Sequence, residues 1–382
     1  MKYYIIAGEA SGDLHASNLI RELKILDSQA SFRCWGGDFM QKEGAVIVRH
    51  IRDLAFMGFL EVVVHLPRIL GNLKFCKQDI LQFNPDVLIL VDYPGFNLRI
   101  ARFAASKGIR VFYYISPQLW AWKSSRVKTI RESVEQLFVI LPFEQEFYHQ
   151  HGVDTNFPGH PLLDVIHEGM KLKTRKSFIQ DNGLEDKPLI ALLPGSRKME
   201  VKNMLSVMLQ VIPSFPGYQF VIAAAPSLQK EFYGSLIQNA RVGIVFGQTY
   251  DLLGSSVAAL VTSGTATLET ALMNVPQLVC YKGNPLSYAI ARRIVKVDFI
   301  SLVNLIAGRG IVRELIQKEF NAGTLIAELK LILQPERQKD ILEGYSEVKK
   351  MLGGKGASGR AASEMIQYLS EKSVKLKEKN FK

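Results

Sequence analysis

Cysteine is scarce in this 382-residue chain: Cys34, Cys76 and Cys280 stand far apart, with no CxxC pair. An odd number at wide spacing argues against a disulfide framework or a structural zinc site and suits a reducing compartment. Long apolar runs are missing as well. The best stretch, Leu54–Leu66, is broken by Glu61 and His65, short of the roughly 18 uninterrupted apolar residues of a membrane span. No secretory leader is read at the start, because the Gly8–Asp13 turn cuts off the apolar Tyr3–Ala7 stretch. The expectation is a soluble or peripheral protein. Catalytic signatures are absent too. There is no DxD, GxSxG or GxxxxGK[ST], and the seven histidines form no zinc pattern. Hydrolase and P-loop readings therefore fall away, and no metal or cofactor is expected. A diphosphate leaving group would have to be stabilised by helix dipoles and Arg or Lys.

What is present is positive charge. The chain carries +11, which implies an anionic partner. Tyr93–Arg131 holds eight Lys/Arg and no acid, and Thr270–Val297 repeats the bias with Lys282, Arg292, Arg293 and Lys296. RNP, KH and zinc-finger patterns are lacking, so nucleic acid is not the expected partner. A phosphorylated ligand or an anionic membrane surface is.

Short apolar runs alternate with amphipathic stretches almost throughout. The predicted strands are Tyr3–Ala7, Ser31–Trp35, Val87–Val91, Val111–Ile115, Gln136–Ile140, Leu189–Leu193, Gln219–Ala223, Val242–Val245, Ala258–Val261 and Gln277–Tyr281. They are apolar on both faces, as parallel strands covered by helices are. The rhythm predicts an α/β architecture of two Rossmann-like domains facing a cleft. The expected divisions are 1–160, a linker at 161–188 with one helix, a second domain at 189–352, and 353–382 as a C-terminal helix and tail. That tail, with Lys372, Lys375, Lys377, Lys379 and Lys382, reads as disordered or laid on an anionic membrane.

Five strand–turn–helix junctions carry candidate chemistry. Gly8–Asp13 follows the first strand; it is not GxGxxG, but it lets backbone approach a ligand at a helix N-terminus. Asp92 ends a buried strand, where desolvation would raise its pKa and suit it to act as a base; capping of the next helix is the alternative. Glu9 ends a strand in the same way and is the rival base. Ser116–Lys123 places Trp120 and Trp122 near Lys123 and Arg126, fit for a sugar face or acyl chain beside a phosphate, or simply for the core. Arg197, in Leu193–Arg197, suits a diphosphate, or pairs with Glu200. Thr262–Glu269 is the sharpest signal. Ser263, Gly264 and Thr265 open a helix that can bind phosphate, and Glu269, one turn on, can accept from ribose hydroxyls.

Eight motifs in order resemble those of the lipid-A-disaccharide synthase family: GEASGD, VDYPGFN, SPQLWAW, LPFE, GHPLLD, LLPGSR, SGTATLE and NLIAG, from Gly8 to Gly308. The resemblance covers most of the chain but little beyond about Gly354. It implies a GT-B fold and transfer of 2,3-diacylglucosamine from its UDP derivative to 2,3-diacylglucosamine 1-phosphate. The product would be a β-1′,6-linked disaccharide 1-phosphate plus UDP, formed with inversion at the cytoplasmic face of the inner membrane. It further implies Asp92 as base, with Arg197, Ser263, Gly264, Thr265, Glu269 and Asn304 on the donor. Ser11, Gly12, Asp13, Trp120, Lys123 and Arg126 would hold the acceptor, and Phe56, Met57 and Phe59, in the stretch running to Leu70, its acyl chains. The alternative is another UDP-N-acetylglucosamine enzyme of the same fold, a peptidoglycan glycosyltransferase or a 2-epimerase.

Overall fold

The computed structural model describes residues 1–53, 66–122, 124–167, 169–237, 240–284, 288 and 297–380. The chain forms two compact units, Met1–Val165 with Leu352–Lys382, and Ile166–Met351. It therefore enters the second unit near the start of the expected linker and returns to the first before its end.

The first unit is a six-stranded sheet in the order β3-β2-β1-β4-β5-β6. Its strands are β1 (Lys2–Ala7), β2 (Ser31–Gly36), β3 (Val46–His50), β4 (Val87–Val91), β5 (Val111–Tyr114) and β6 (Gln136–Phe138), all paired in parallel. Alternation along β1 shows how the sheet is covered. Tyr3, Ile5 and Ala7 join one core with Leu19, Ile20 and Leu23 of α1 (Ala10–Leu26). Tyr4 and Ile6 join the opposite core with Cys76 and Ile80 of α2 (Leu66–Phe83) and Ile100 and Ala101 of α3 (Pro94–Ser106). Both faces are thus buried, as a parallel sheet requires. All three cysteines are buried and free, and burial raises their thiol pKa values.

The second unit repeats the plan in the order β12-β11-β10-β7-β8-β9. The strands are β7 (Leu189–Leu193), β8 (Gln219–Ala224), β9 (Val242–Phe246), β10 (Ser256–Thr262), β11 (Gln277–Tyr281) and β12 (Arg313–Ile316). Both orders are the doubly wound 3-2-1-4-5-6, so each unit has one topological switch point: between β1 and β4 in the first, between β7 and β10 in the second.

Ten strands coincide with the sequence reading to within a residue or two. β3 and β12 were not expected, and both are sheet edges. Their residues are mostly half-exposed and include Arg49, His50, Arg313 and Glu314, so neither shows an apolar run.

The C-terminal helix of the sequence reading is present, and it runs on through the Lys-rich stretch read as tail. Ala357–Asn380 is a helix, α4, and its Ala361, Ala362, Met365 and Leu369 complete the α1 side of the first core. The Asp164 carboxylate caps it, accepting from the backbone N–H groups of Gly356, Ala357 and Ser358 at 2.6, 3.1 and 2.8 Å. Gly354–Gly359 has the GxGxxG spacing, but it follows a helix rather than a strand, and its amides hold Asp164.

Among the described residues no helix is long and apolar enough to cross a membrane. The expected lipid-binding residues Phe56, Met57 and Phe59, and Lys123, lie outside the described residues.

Candidate active site

Four of the five sequence junctions fall at the two switch points. In the first unit, parallel register sets Ala7 of β1 beside Val91 of β4. The residues that follow, Gly8-Glu9 and Asp92-Tyr93, therefore emerge side by side from the carboxyl edge of the sheet, where open α/β sheets bind ligands. A Cβ on Gly8 would lie 2.3 Å from the Tyr93 ring, so only glycine lets the two turns close.

Asp92 and Tyr93 both have left-handed backbone, at φ 44° and 50°. For residues with a Cβ this costs roughly 1–2 kcal/mol each. Three hydrogen bonds hold the turn. Tyr113 Oη and Asn97 Nδ2 donate to the Asp92 carbonyl at 2.6 and 2.7 Å, and the Asp92 N–H donates to the Ile115 carbonyl at 3.2 Å. Pro94, with φ preset for a helix, then opens α3. The half-buried Asp92 carboxyl is pushed up to about 6, first by desolvation and then by the Glu9 carboxylate; a hydrogen bond from the Tyr93 N–H acts the other way. A carboxylate poised near neutral pH and fixed at a switch point has the properties of a general base.

Of the GEASGD residues, Ser11 is exposed in the first turn of α1 and Gly12 is buried against Ala7 and Val91. Asp13 has a task other than the expected one. It is 2% exposed, and its carboxylate accepts from the N–H groups of Gly37, Phe39 and Met40 at 2.7, 3.0 and 3.1 Å. With both oxygens spent on the turn after β2, it positions backbone and does not present a group to a ligand.

At the end of β5, Trp120 is half-buried, edge-on to Phe143, and its indole N–H donates to Glu144 at 3.2 Å. Arg126 is half-buried and precedes the helix Val127–Ser133. Glu144 was not singled out from sequence, although it closes the LPFE motif. It is 1% exposed and accepts from Ser116 Oγ, Trp120 Nε1 and the N–H groups of Ile140 and Leu141. Burial pushes it up to about 7 against the pull of these donors. It ties the SPQLW loop to the turn after β6. Asn97 was visible as the last residue of VDYPGFN. Tyr113 had no sequence signal beyond its place in an apolar strand.

In the second unit, Val261 of β10 pairs with Leu193 of β7, which brings Pro194–Arg197 beside Thr262–Thr265. Arg197 is exposed at the start of α5 (Lys198–Met208). The Glu200 carboxylate folds back to accept from the Ser196 N–H at 2.9 Å. Gly264, at φ 154°, opens α6 (Thr265–Leu272); the conformation favours glycine, and the space beside it is open. Thr265 is exposed. Ser263 is tied down, donating from Oγ to the Ile300 carbonyl at 2.8 Å and from its N–H to Cys280 at 3.1 Å. Glu269 is half-buried and accepts from Tyr250 Oη at 2.7 Å; burial raises its pKa and the Tyr250 bond opposes this.

Asn304 departs from the expectation of a donor contact. It is 1% exposed, donates from Nδ2 to the Val312 carbonyl and Glu314, and accepts at Oδ1 from the N–H groups of Ile311 and Val312. Its amide is used up in joining Leu302–Ala307 to β12.

Two doubly wound sheets, each with ligand-type turns at its switch point, define the GT-B class. Solved structures agree on the fold. The Staphylococcus aureus MnaA–UDP co-structure superposes with TM-score 0.71 at 14% identity, covering 97% of each chain. The UDP-GlcNAc 2-epimerase of Neisseria meningitidis bound to UDP-GlcNAc gives 0.67 at 15%, covering 97% of this chain and all of that one. The glycosyltransferase of kitacinnamycin gives 0.62 at 15%, covering 96% and 99%.

Sequence relationship is narrower. The family model described as lipid-A-disaccharide synthetase matches residues 3–366. A lipid-A-disaccharide synthase from Syntrophus aciditrophicus is 42% identical over 367 residues, 94% of this chain and 95% of that protein. One from Geobacter sulfurreducens is 38% identical over 375 residues, 96% and 97% of the two chains. The chain belongs to the lipid-A-disaccharide synthase family of glycosyltransferases. The 2-epimerases share its fold only.

Proposed function

We propose that this enzyme transfers 2,3-diacylglucosamine from UDP-2,3-diacylglucosamine to the 6-hydroxyl of 2,3-diacylglucosamine 1-phosphate, with inversion and without a metal. The carrying observation is Asp92, a strained, half-buried carboxylate pushed up to about 6 at the first switch point. It takes the acceptor 6-hydroxyl proton as that oxygen bonds to the donor's anomeric carbon. The anomeric C–O bond breaks and UDP leaves with its electron pair, through an oxocarbenium-like transition state. In the second unit, exposed Arg197 and the N-terminus of α6 at Gly264 and Thr265 hold the diphosphate as its charge grows, with Ser263 anchoring the turn through its bonds to Ile300 and Cys280. Glu269 accepts from the ribose. Ser11, Gly12, Trp120, Lys123 and Arg126 bear on the acceptor sugar and its phosphate. The apolar stretch from Phe56 to Leu70, whose last residue is 56% exposed at the start of α2, takes the acyl chains at the cytoplasmic face of the inner membrane.

The test incubates purified enzyme with both substrates and a chelator, beside Asp92→Asn. Disaccharide 1-phosphate from the wild type, lost in the variant, supports the reading. No product from a folded wild type, with or without magnesium, sinks it. Undiminished product from the variant moves the base to Glu9.

A further inference from the structure

We infer that Asn97 and Tyr113 are positioning residues that aim the Asp92 carboxylate, an inference resting on the reading of Asp92 as base. Neither side chain reaches solvent: both are 0% exposed. Both donate to the same atom, the Asp92 carbonyl oxygen, at 2.7 and 2.6 Å. Two donors converging on that oxygen fix the plane of the peptide between Asp92 and Tyr93. That plane carries Asp92 ψ and Tyr93 φ, half of the torsions that make this elbow left-handed.

The same Asn97 amide reaches the Val91 carbonyl at 3.2 Å and the Ile6 carbonyl at 3.4 Å, so it also binds the ends of β4 and β1 at the switch point. Its own Oδ1 is buried and meets no donor among the described residues. A buried amide with one end unsatisfied is poor packing; what it supplies is the N–H side, directed at the elbow. Released from these bonds, Asp92 and Tyr93 would relax toward extended or right-handed backbone, as residues with a Cβ do. The Asp92 Cβ would swing with them and the carboxylate would leave its place at the sheet edge.

Tyr113→Phe removes one oxygen and leaves the ring in the core. Its expected effect is a fall in kcat of about 10–100-fold, the scale of an ångström-level misplacement. Both KM values should stay within about twofold, because the base is misaimed while the groups that bind the substrates are untouched. Asn97→Ser, which cannot reach the Asp92 carbonyl, should fall at least as far. Tyr114→Phe is the control: its ring lies in the core on the opposite face of the sheet from Tyr113, its hydroxyl buried beside Ser358, and its kcat should match the wild type. Circular dichroism and thermal melting establish that each variant is folded; should Asn97→Ser fail there, Tyr113→Phe carries the test. A wild-type kcat in folded Tyr113→Phe, with Asp92→Asn inactive, overturns the positioning role and leaves the base in place. A raised KM at unchanged kcat overturns it in favour of substrate binding. An active Asp92→Asn overturns the base reading itself.

Discussion

The two switch points share a topology and differ in how their polar groups are used. At the first, hydrogen bonds are turned inward: Tyr113 and Asn97 hold the Asp92 carbonyl, Asp13 holds three amides, and Glu144 ties the SPQLW loop. At the second, Ser196, Arg197, Gly264 and Thr265 are all exposed. The contrast matches two chemical tasks. Proton removal depends on a carboxylate held to within fractions of an ångström, and a rigid, partly desolvated elbow supplies that. Holding a diphosphate depends on a cation and backbone amides at the solvent edge of a helix start, and Arg197, Gly264 and Thr265 lie at such edges.

If the first switch point is the chemical one, the largest loss comes from Asp92→Asn, about 10²–10⁴-fold in kcat with KM values little changed, measured by initial rates of disaccharide formation. The same base reading sets the pH dependence of the wild type. Asp92 must be ionised to act, so kcat should rise with pH through about 6 and level above it. A flat profile between pH 5 and 8 would remove Asp92 from the role.

The second switch point is broken most sharply by Arg197→Ala. A loss of roughly 10²–10³-fold in kcat/KM for the donor is expected, with the acceptor KM unmoved. Arg197→Lys should recover only part of it, because an ammonium cannot grip two phosphate oxygens in one plane. Equal losses toward both substrates would end the division of labour.

Asn304→Ala separates support from contact. Removing the amide strands the N–H groups of Ile311 and Val312, which should cost about 1–3 kcal/mol of stability in a denaturant melt. The donor KM of the folded fraction should not change; a rise of tenfold would return Asn304 to the ligand.

The smallest effect sharpens the picture of Asp92. Burial raises its carboxyl from the usual 3.8 to about 6, so the folded chain binds the extra proton between those values and loses stability as pH rises through them. Asp92→Asn, neutral at every pH, should therefore melt roughly 2–4 °C above the wild type at pH 7.5. It should show no advantage at pH 4.

Strand–turn–helix junctions were legible because local rules set them. β4 is five apolar residues ending in Asp-Tyr-Pro-Gly, and β7 ends in Pro-Gly-Ser-Arg. Apolar runs specify buried parallel strands, and Pro, Gly and Ser specify where they stop. Edge strands were not legible, because β3 and β12 are covered less fully and mix charge with apolar residues. The C-terminal helix was legible, but its place in the fold was not. Ala361, Ala362, Met365 and Leu369 look like an ordinary amphipathic stripe, and nothing local says that the stripe packs beside α1.

The sequence by itself determined the alternation of elements, the family, and the candidate residues at the turns. Tertiary structure decided which of those residues face outward. Asp13 and Asn304 carry the same functional groups as ligand-binding residues, yet folding supplies each with backbone partners from distant chain and consumes them. Hydrogen-bond satisfaction is a property of the packed molecule: a carboxylate or amide becomes a site only where packing leaves it without enough internal partners.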